Sequence, residues 1–199
     1  MDQVQNTQLN PFRTAPNLLT LLRICLAPIL TAAILEGHYW ISFILFIVAG
    51  LTDALDGTLA RLLKQRTRLG AYLDPVADKL LLSTLFLVLM HKGLIPTTVT
   101  VLVFGRDVGI LLVSAILYAA VGRREFSPSI FGKANTLAQV GAVAVVLLHQ
   151  LLPQAHWVDV SEKQALNATM VLTVVSGLQY AWSATRRVTV QAANGAGTR

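Results

Sequence analysis

Apolar residues in this chain gather into six long runs, at about residues 17 to 35, 39 to 64, 70 to 91, 96 to 121, 132 to 152 and 164 to 185. A helix rises about 1.5 Å per residue and a bilayer's hydrocarbon layer is about 30 Å thick, so about 20 mostly apolar residues make one span. The pattern therefore predicts six transmembrane helices. The breaks between runs, "EGHY", "KQRTRLG", "HKGLIP", "GRREFSPS" and "PQAHWVDVSE", carry the turn and charge signals that end such elements. The small-residue stretch "AANGAGTR" beyond the last run is expected to be disordered. The reading is one membrane domain over residues 1–188 and a disordered tail over 189–199.

Composition agrees: hydrophobic residues make up 54% of the chain and charged residues 13%, and mean hydropathy is +0.61. The fold class expected is an all-α integral membrane protein, with little chain left for a soluble domain. The formal charge of +6 raises the question of nucleic acid. The Lys and Arg residues sit between apolar runs rather than on one face interleaved with aromatics, so no nucleic-acid partner is expected. Cys25, the single cysteine, excludes an intrachain disulfide and a cysteine metal cluster. Lying in an apolar run, it reads as a small buried hydrophobe. The polar start "MDQVQNTQLNPFRTAPN" lacks the basic-then-apolar order of a signal peptide and is expected to remain on the mature protein.

The basic residues also orient the chain. If six helices alternate, Arg13, Lys64, Arg66, Arg68, Arg123, Arg124, Lys133, Arg186 and Arg187 fall on one side, against Lys92 and Lys163 on the other. The positive-inside rule then puts both termini in the cytoplasm. Trp40, Trp157 and Trp182 lie near run ends, as an interfacial aromatic belt requires.

The chemistry concentrates in "DALDGTLARLLKQRTRLGAYLDPVADK", which holds Asp53, Asp56, Asp74 and Asp78 out of only ten acidic residues in the chain. Positions three and four apart share a helix face, so Asp53, Asp56, Gly57 and Ala60 form one stripe with Arg61 beside it; Gly70, Asp74 and Asp78 form another. Pro75 either opens the second helix with Asp74 as its cap or lies inside a helix begun near Thr67. Counting the rise from Trp40 places Asp53 and Asp56 in the cytoplasmic third of the membrane, where acids are costly and mark function. Carboxylates converging from two helices repel one another unless cations sit among them, and hard divalent ions such as Mg²⁺ suit oxygen donors and substrate phosphates. Gly57 and Ala60 suit close helix packing or a ligand's approach to the backbone; glycine between acids on one stripe favours the ligand. Arg61 either holds a phosphate or snorkels to the interface.

The spacing Asp53-xx-Asp56-Gly57-xx-Ala60-Arg61, followed by Gly70, Asp74 and Asp78, reproduces the signature of the CDP-alcohol phosphatidyltransferases. "PNLLTLLRICLAP" is similar to the first helix of bacterial phosphatidylglycerolphosphate synthases, and "GKANTLAQ" to a stretch found there and in eukaryotic-type cardiolipin synthases. The resemblance implies a six-helix membrane enzyme, commonly a homodimer, with a polar cavity open to the cytoplasm. It implies transfer of the phosphatidyl group of CDP-diacylglycerol to an alcohol with release of CMP, in a bacterial inner or plasma membrane. By motif position Asp53, Asp56 and Asp74 would hold two divalent ions, Mg²⁺ or Mn²⁺, with Asp78 contributing to the second and serving as the catalytic base. Gly57, Arg61 and Thr67 would contact the CDP moiety, with Asn17 and Thr20 of the first helix at the same site.

The acceptor alcohol is a separate question. Glycerol 3-phosphate fits the first-helix resemblance and the basic residues Arg106 and Lys133; Arg106 with Asp107 also reads as an ion pair that fixes helix packing. Phosphatidylglycerol, the cardiolipin synthase acceptor, fits "GRDV" and "SPSIFGKANTLAQ", because the "RE…S…R" pattern of phosphatidylglycerolphosphate synthases is broken here by Tyr118 and the lack of an arginine after Ser114. Glycerol 3-phosphate is the expected acceptor, and phosphatidylglycerol the alternative. Two rivals come from other classes. A membrane prenyltransferase usually needs a longer chain and two separated acid clusters, and a metal-ion transporter predicts acids spread over several helices, whereas the last two apolar runs have none.

Overall fold

The computed structural model describes the backbone of residues 15–62, 68–121 and 130–196, and the side chains of 21–53, 79–114, 130–183, 185 and 186. Every described element is an α-helix apart from short turns: α1 (Ala15–Leu35), α2 (Tyr39–Leu62), α3 (Arg68–His91), α4 (Thr97–Val121), α5 (Ile130–Leu151) and α6 (His156–Ala196). The first five begin and end close to the limits of the apolar runs. Pro75 lies inside α3, which starts at Arg68, so Asp74 is not that helix's cap.

Only α6 departs from the expected limits, starting at His156 rather than 164 and running to Ala196 through the stretch expected to be an irregular tail. The added residues mix polar with apolar ones, so they form no continuous apolar run. They include Glu162, Lys163, Arg186, Arg187 and Gln191, all good helix formers, and extending an existing helix avoids the cost of nucleation.

The chain divides into two compact units, Met1–Leu89 and Met90–Arg199. In the first, α1 packs on α2. Their turn is set by Gly37, whose φ of 81° is available to glycine without strain. His38 N–H donates to Ala33 O at 2.8 Å and Gly37 N–H to Ile34 O at 3.1 Å, the two bonds of a Schellman stop. The turn brings the helices back side by side. On α1 the buried stripe is Arg23, Leu26, Leu30, Ala33 and Ile34; on α2 it is Ser42, Phe46 and Ala49, spaced by three and four residues as a helix face must be. In the second unit α6 packs on both α5 and α4.

The buried positions are mostly apolar, but polar side chains join them at Arg23, Ser42, Thr100, Asn135, Gln139, Thr169, Thr173 and Ser176, while Ile29, Leu51, Leu111, Leu137 and Val171 point outward. Large outward apolar side chains beside buried polar ones suit helices in lipid, where hydrocarbon offers polar groups no hydrogen bonds. Among the described residues, Thr97–Ser114 and Ile130–Leu151 are long and apolar enough to cross a membrane, with shorter apolar stretches at Leu21–Leu35, Tyr39–Asp53 and Lys79–His91. Cys25 is exposed on α1 rather than buried, because it falls outside the stripe that meets α2. Trp40, Trp157 and Trp182 are all exposed, and the Arg186 guanidinium lies 5.2 Å from the Trp182 ring centroid.

Candidate functional site

Residues singled out for the donor half of the chemistry share the first unit. Asn17 and Thr20 lie on α1, Asp53, Asp56, Gly57 and Arg61 on α2, and Asp74 and Asp78 on α3. Helical backbone through each stretch puts Asp53 and Asp56 about one turn apart, and Asp74 and Asp78 likewise. Thr67 lies outside the described residues, and the side chains of Asn17, Thr20, Asp56, Arg61, Asp74 and Asp78 lie outside the described side chains, as do the surroundings of Gly57.

Asp53 is the member of the motif whose surroundings are described. It continues the α2 stripe Ser42, Phe46, Ala49 by four more residues and so faces α1. There its Oδ1 forms an ion pair with Arg23 Nη2 at 2.9 Å. The Arg23 side chain is 1% exposed, whereas that of Asp53 is 49% exposed. The pair is therefore one-sided, with a buried cation gripping a carboxylate that still has a large open surface. A hard oxygen donor with that much open surface fits a divalent ion. Among the described residues no cluster of three or more His, Cys, Asp or Glu side chains forms a metal site elsewhere.

Sequence reasoning passed over Arg23. The signal was present, since an arginine inside an apolar run is a functional candidate by default. Its partner was not visible, because Asp53 is reached only across the α1–α2 turn.

The residues proposed for the acceptor lie in the second unit. Arg106 Nη1 donates to Asp107 Oδ1 at 2.7 Å, and its Nη2 donates to Ser176 Oγ on α6 at 2.6 Å. The Arg106 and Asp107 side chains are only 11% and 10% exposed. Of the two readings of Arg106, these contacts carry the packing one: the guanidinium is engaged within the α4–α6 pair. Further along the same pair, Ser114 Oγ hydrogen-bonds the Tyr180 hydroxyl. On the α5–α6 side, Thr173 Oγ1 donates to the Asn135 side-chain oxygen at 2.9 Å, and Thr169 Oγ1 reaches Ala138 O at 3.1 Å. Asn135 and Gln139 of "GKANTLAQ" are buried, while Lys133 is exposed on the first turn of α5.

Comparison with known proteins agrees with this geometry. The sequence is 37% identical over 156 residues to human cardiolipin synthase (CMP-forming), covering 69% of this chain and 51% of that protein. It is 35% identical over 179 residues to a probable phosphatidylglycerophosphate synthase of Mycobacterium tuberculosis, covering 86% and 82%. It is 34% identical over 183 residues to the CDP-diacylglycerol–glycerol-3-phosphate 3-phosphatidyltransferase of Bacillus subtilis, covering 83% and 92%. The chain spans about half the length of the human and rat cardiolipin synthases it matches. The pattern that defines the CDP-alcohol phosphatidyltransferases matches residues 13–179, a stretch that includes every aspartate of the motif, and the chain belongs to that family.

Proposed function

We propose that this chain is a CDP-diacylglycerol-dependent phosphatidyltransferase that transfers the phosphatidyl group to glycerol 3-phosphate and releases CMP. The observation that carries the proposal is the intact aspartate motif on α2 and α3, with Asp53 held from behind and open in front. Phosphatidylglycerophosphate synthases from two bacteria, matched over more than four-fifths of this chain, support the choice of acceptor. Six spans with both termini in the cytoplasm place the motif at the cytoplasmic face of a bacterial inner or plasma membrane. That is where a lipid donor with its tails in the bilayer presents its pyrophosphate. We further propose that the enzyme works as a homodimer.

In this reading Asp53, Asp56 and Asp74 hold two divalent ions, Mg²⁺ or Mn²⁺, with Asp78 shared by the second. Such ions, when bound, neutralise the pyrophosphate and stabilise charge on the departing CMP. Arg61 binds a donor phosphate bidentately, Gly57 lets the cytidine approach the helix, and Thr67, Asn17 and Thr20 complete the CDP contacts. Asp78 takes the proton of the acceptor hydroxyl. The oxygen so freed forms the new bond to the phosphatidyl phosphorus as the bond from that phosphorus to CMP breaks.

A second acceptor is favoured by a specific observation. Arg106, the basic residue best placed by sequence to receive an acceptor phosphate, is engaged with Asp107 and Ser176, and a cardiolipin synthase is among the relatives. Phosphatidylglycerol is that alternative. Purified protein given CDP-diacylglycerol, Mg²⁺ or Mn²⁺ and single acceptors decides the matter through CMP release. Release with glycerol 3-phosphate is expected; release with phosphatidylglycerol alone reverses the assignment. No CMP with any alcohol, and metal transport into vesicles instead, would refute the enzyme reading.

A further inference from the structure

We propose that Arg23 is a positioning residue for Asp53, fixing the orientation in which that carboxylate meets a divalent cation. This rests on reading Asp53 as a metal ligand.

Arg23 lies 12 residues before the end of α1 and Asp53 lies 14 residues after the start of α2, so at about 1.5 Å per residue they sit about 18 and 21 Å from the shared turn. Two antiparallel helices joined by a tight stop therefore bring them opposite one another. Both lie on the facing stripes of the two helices.

Burial and asymmetry come next. A guanidinium that is 1% exposed is costly unless paired, and here it grips one oxygen of a carboxylate that is 49% exposed. The grip comes from the protein side only. A planar guanidinium buried to 1% exposure and in contact through Nη2 with one carboxylate oxygen restricts the rotation of the Asp53 side chain while about half of that side chain's surface stays exposed. Metal-ligating carboxylates are commonly hydrogen-bonded from behind in this way, and loss of such a partner typically weakens metal affinity or activity by about 10- to 100-fold. A simple counter-ion role predicts the opposite sign, because deleting a cation beside a metal ligand removes repulsion and tightens metal binding.

The test uses full-length protein in detergent and Mn²⁺ alone, followed by the electron paramagnetic resonance signal of the free ion, with no lipid substrate present. Arg23→Gln, which keeps a hydrogen-bond donor but loses the charge and the fork, should bind Mn²⁺ about 10-fold or more weakly than the parent. In CMP release it should show a raised Mn²⁺ requirement while kcat at saturating Mn²⁺ stays within a few-fold. Unchanged or tighter Mn²⁺ binding by Arg23→Gln overturns the proposal. If that variant does not fold, Arg23→Lys takes its place: it retains the buried charge without the planar fork. Mn²⁺ binding by the lysine variant should again be weakened, and affinity equal to the parent's overturns the proposal. Asp53→Asn separates the two levels. Weak binding by Asp53→Asn beside normal binding by the Arg23 variant removes only the role of Arg23, whereas normal binding by Asp53→Asn removes Asp53 as a ligand.

Discussion

Arg23 with Asp53 in the first unit and Arg106 with Asp107 in the second are chemically the same ion pair in opposite settings. In one, the arginine is sealed between α1 and α2 and the aspartate is half exposed; in the other, both partners are about nine-tenths buried and Ser176 takes a second guanidinium nitrogen. In the second pair the guanidinium is tied to Asp107 and to Ser176, which links α4 to α6. In the first, the carboxylate keeps about half of its surface exposed, which is the setting the proposed metal ligand requires.

The comparison can be broken by exchanging readouts. Asp78→Asn, on the functional side, should give the largest change: turnover falls by about 10²- to 10⁴-fold, the usual worth of a general base. Binding of CDP-diacylglycerol should remain measurable in that variant by equilibrium binding, and full turnover would remove Asp78 from the base role. Next come the two pair aspartates. Asp107→Asn, which deletes the charge opposite a buried guanidinium, should lower stability in detergent by about 3 kcal/mol while Mn²⁺ binding stays at the parent level. Asp53→Asn should do the reverse, losing Mn²⁺ binding with a small change in melting temperature. A stability loss at Asp53 equal to that at Asp107 would erase the distinction drawn here.

Smaller effects sharpen the packing side. Ser176→Ala removes a bond to a charged donor and should cost about 1.5 kcal/mol. Thr173→Val, which leaves the buried Asn135 oxygen without that donor, should cost about 1 kcal/mol, both measured by thermal unfolding in detergent.

The smallest effect lies outside the membrane segments. Lys163 donates to Asp159 at 2.9 Å one helical turn away. That bond is the main cause holding the Asp159 carboxyl below its ordinary value; burial opposes it, and the charges of Lys163, His149 and His156 add to the lowering. A carboxylate whose value is lower in the folded chain contributes stability above its unfolded value of about 3.9 and loses it as pH falls through the folded value. Lys163→Ala should therefore melt slightly below the parent at neutral pH and with it once Asp159 is protonated. High salt should shrink the neutral-pH difference, as it does for any exposed pair.

Much of this was legible in the chain. Apolar runs bounded by "EGHY" and "HKGLIP" located α1 to α4 because a membrane helix must be continuously apolar, and Gly37 and Gly93 fall in the turns where a positive φ is required. The four-residue spacing of Asp74 and Asp78 and the three-residue spacing of Asp53 and Asp56 located the candidate chemistry. What escaped was of two kinds. The ends of α6 were missed because hydrophobicity marks where a helix is buried in lipid, not where it stops being a helix. Arg23 carried no expectation at all, and Arg106 carried two, an ion pair with Asp107 and an acceptor contact, which spacing along α4 could not separate.

The sequence by itself determined the six helices and the family signature, because helix length and one-face spacing are local properties of the chain. Only the tertiary structure decided which arginine meets a half-exposed carboxylate and which meets a buried one. That choice depends on what the opposite helix presents at the same level, across a turn for Arg23 and across 70 residues of chain for Arg106. Spacing along one helix carries no record of it.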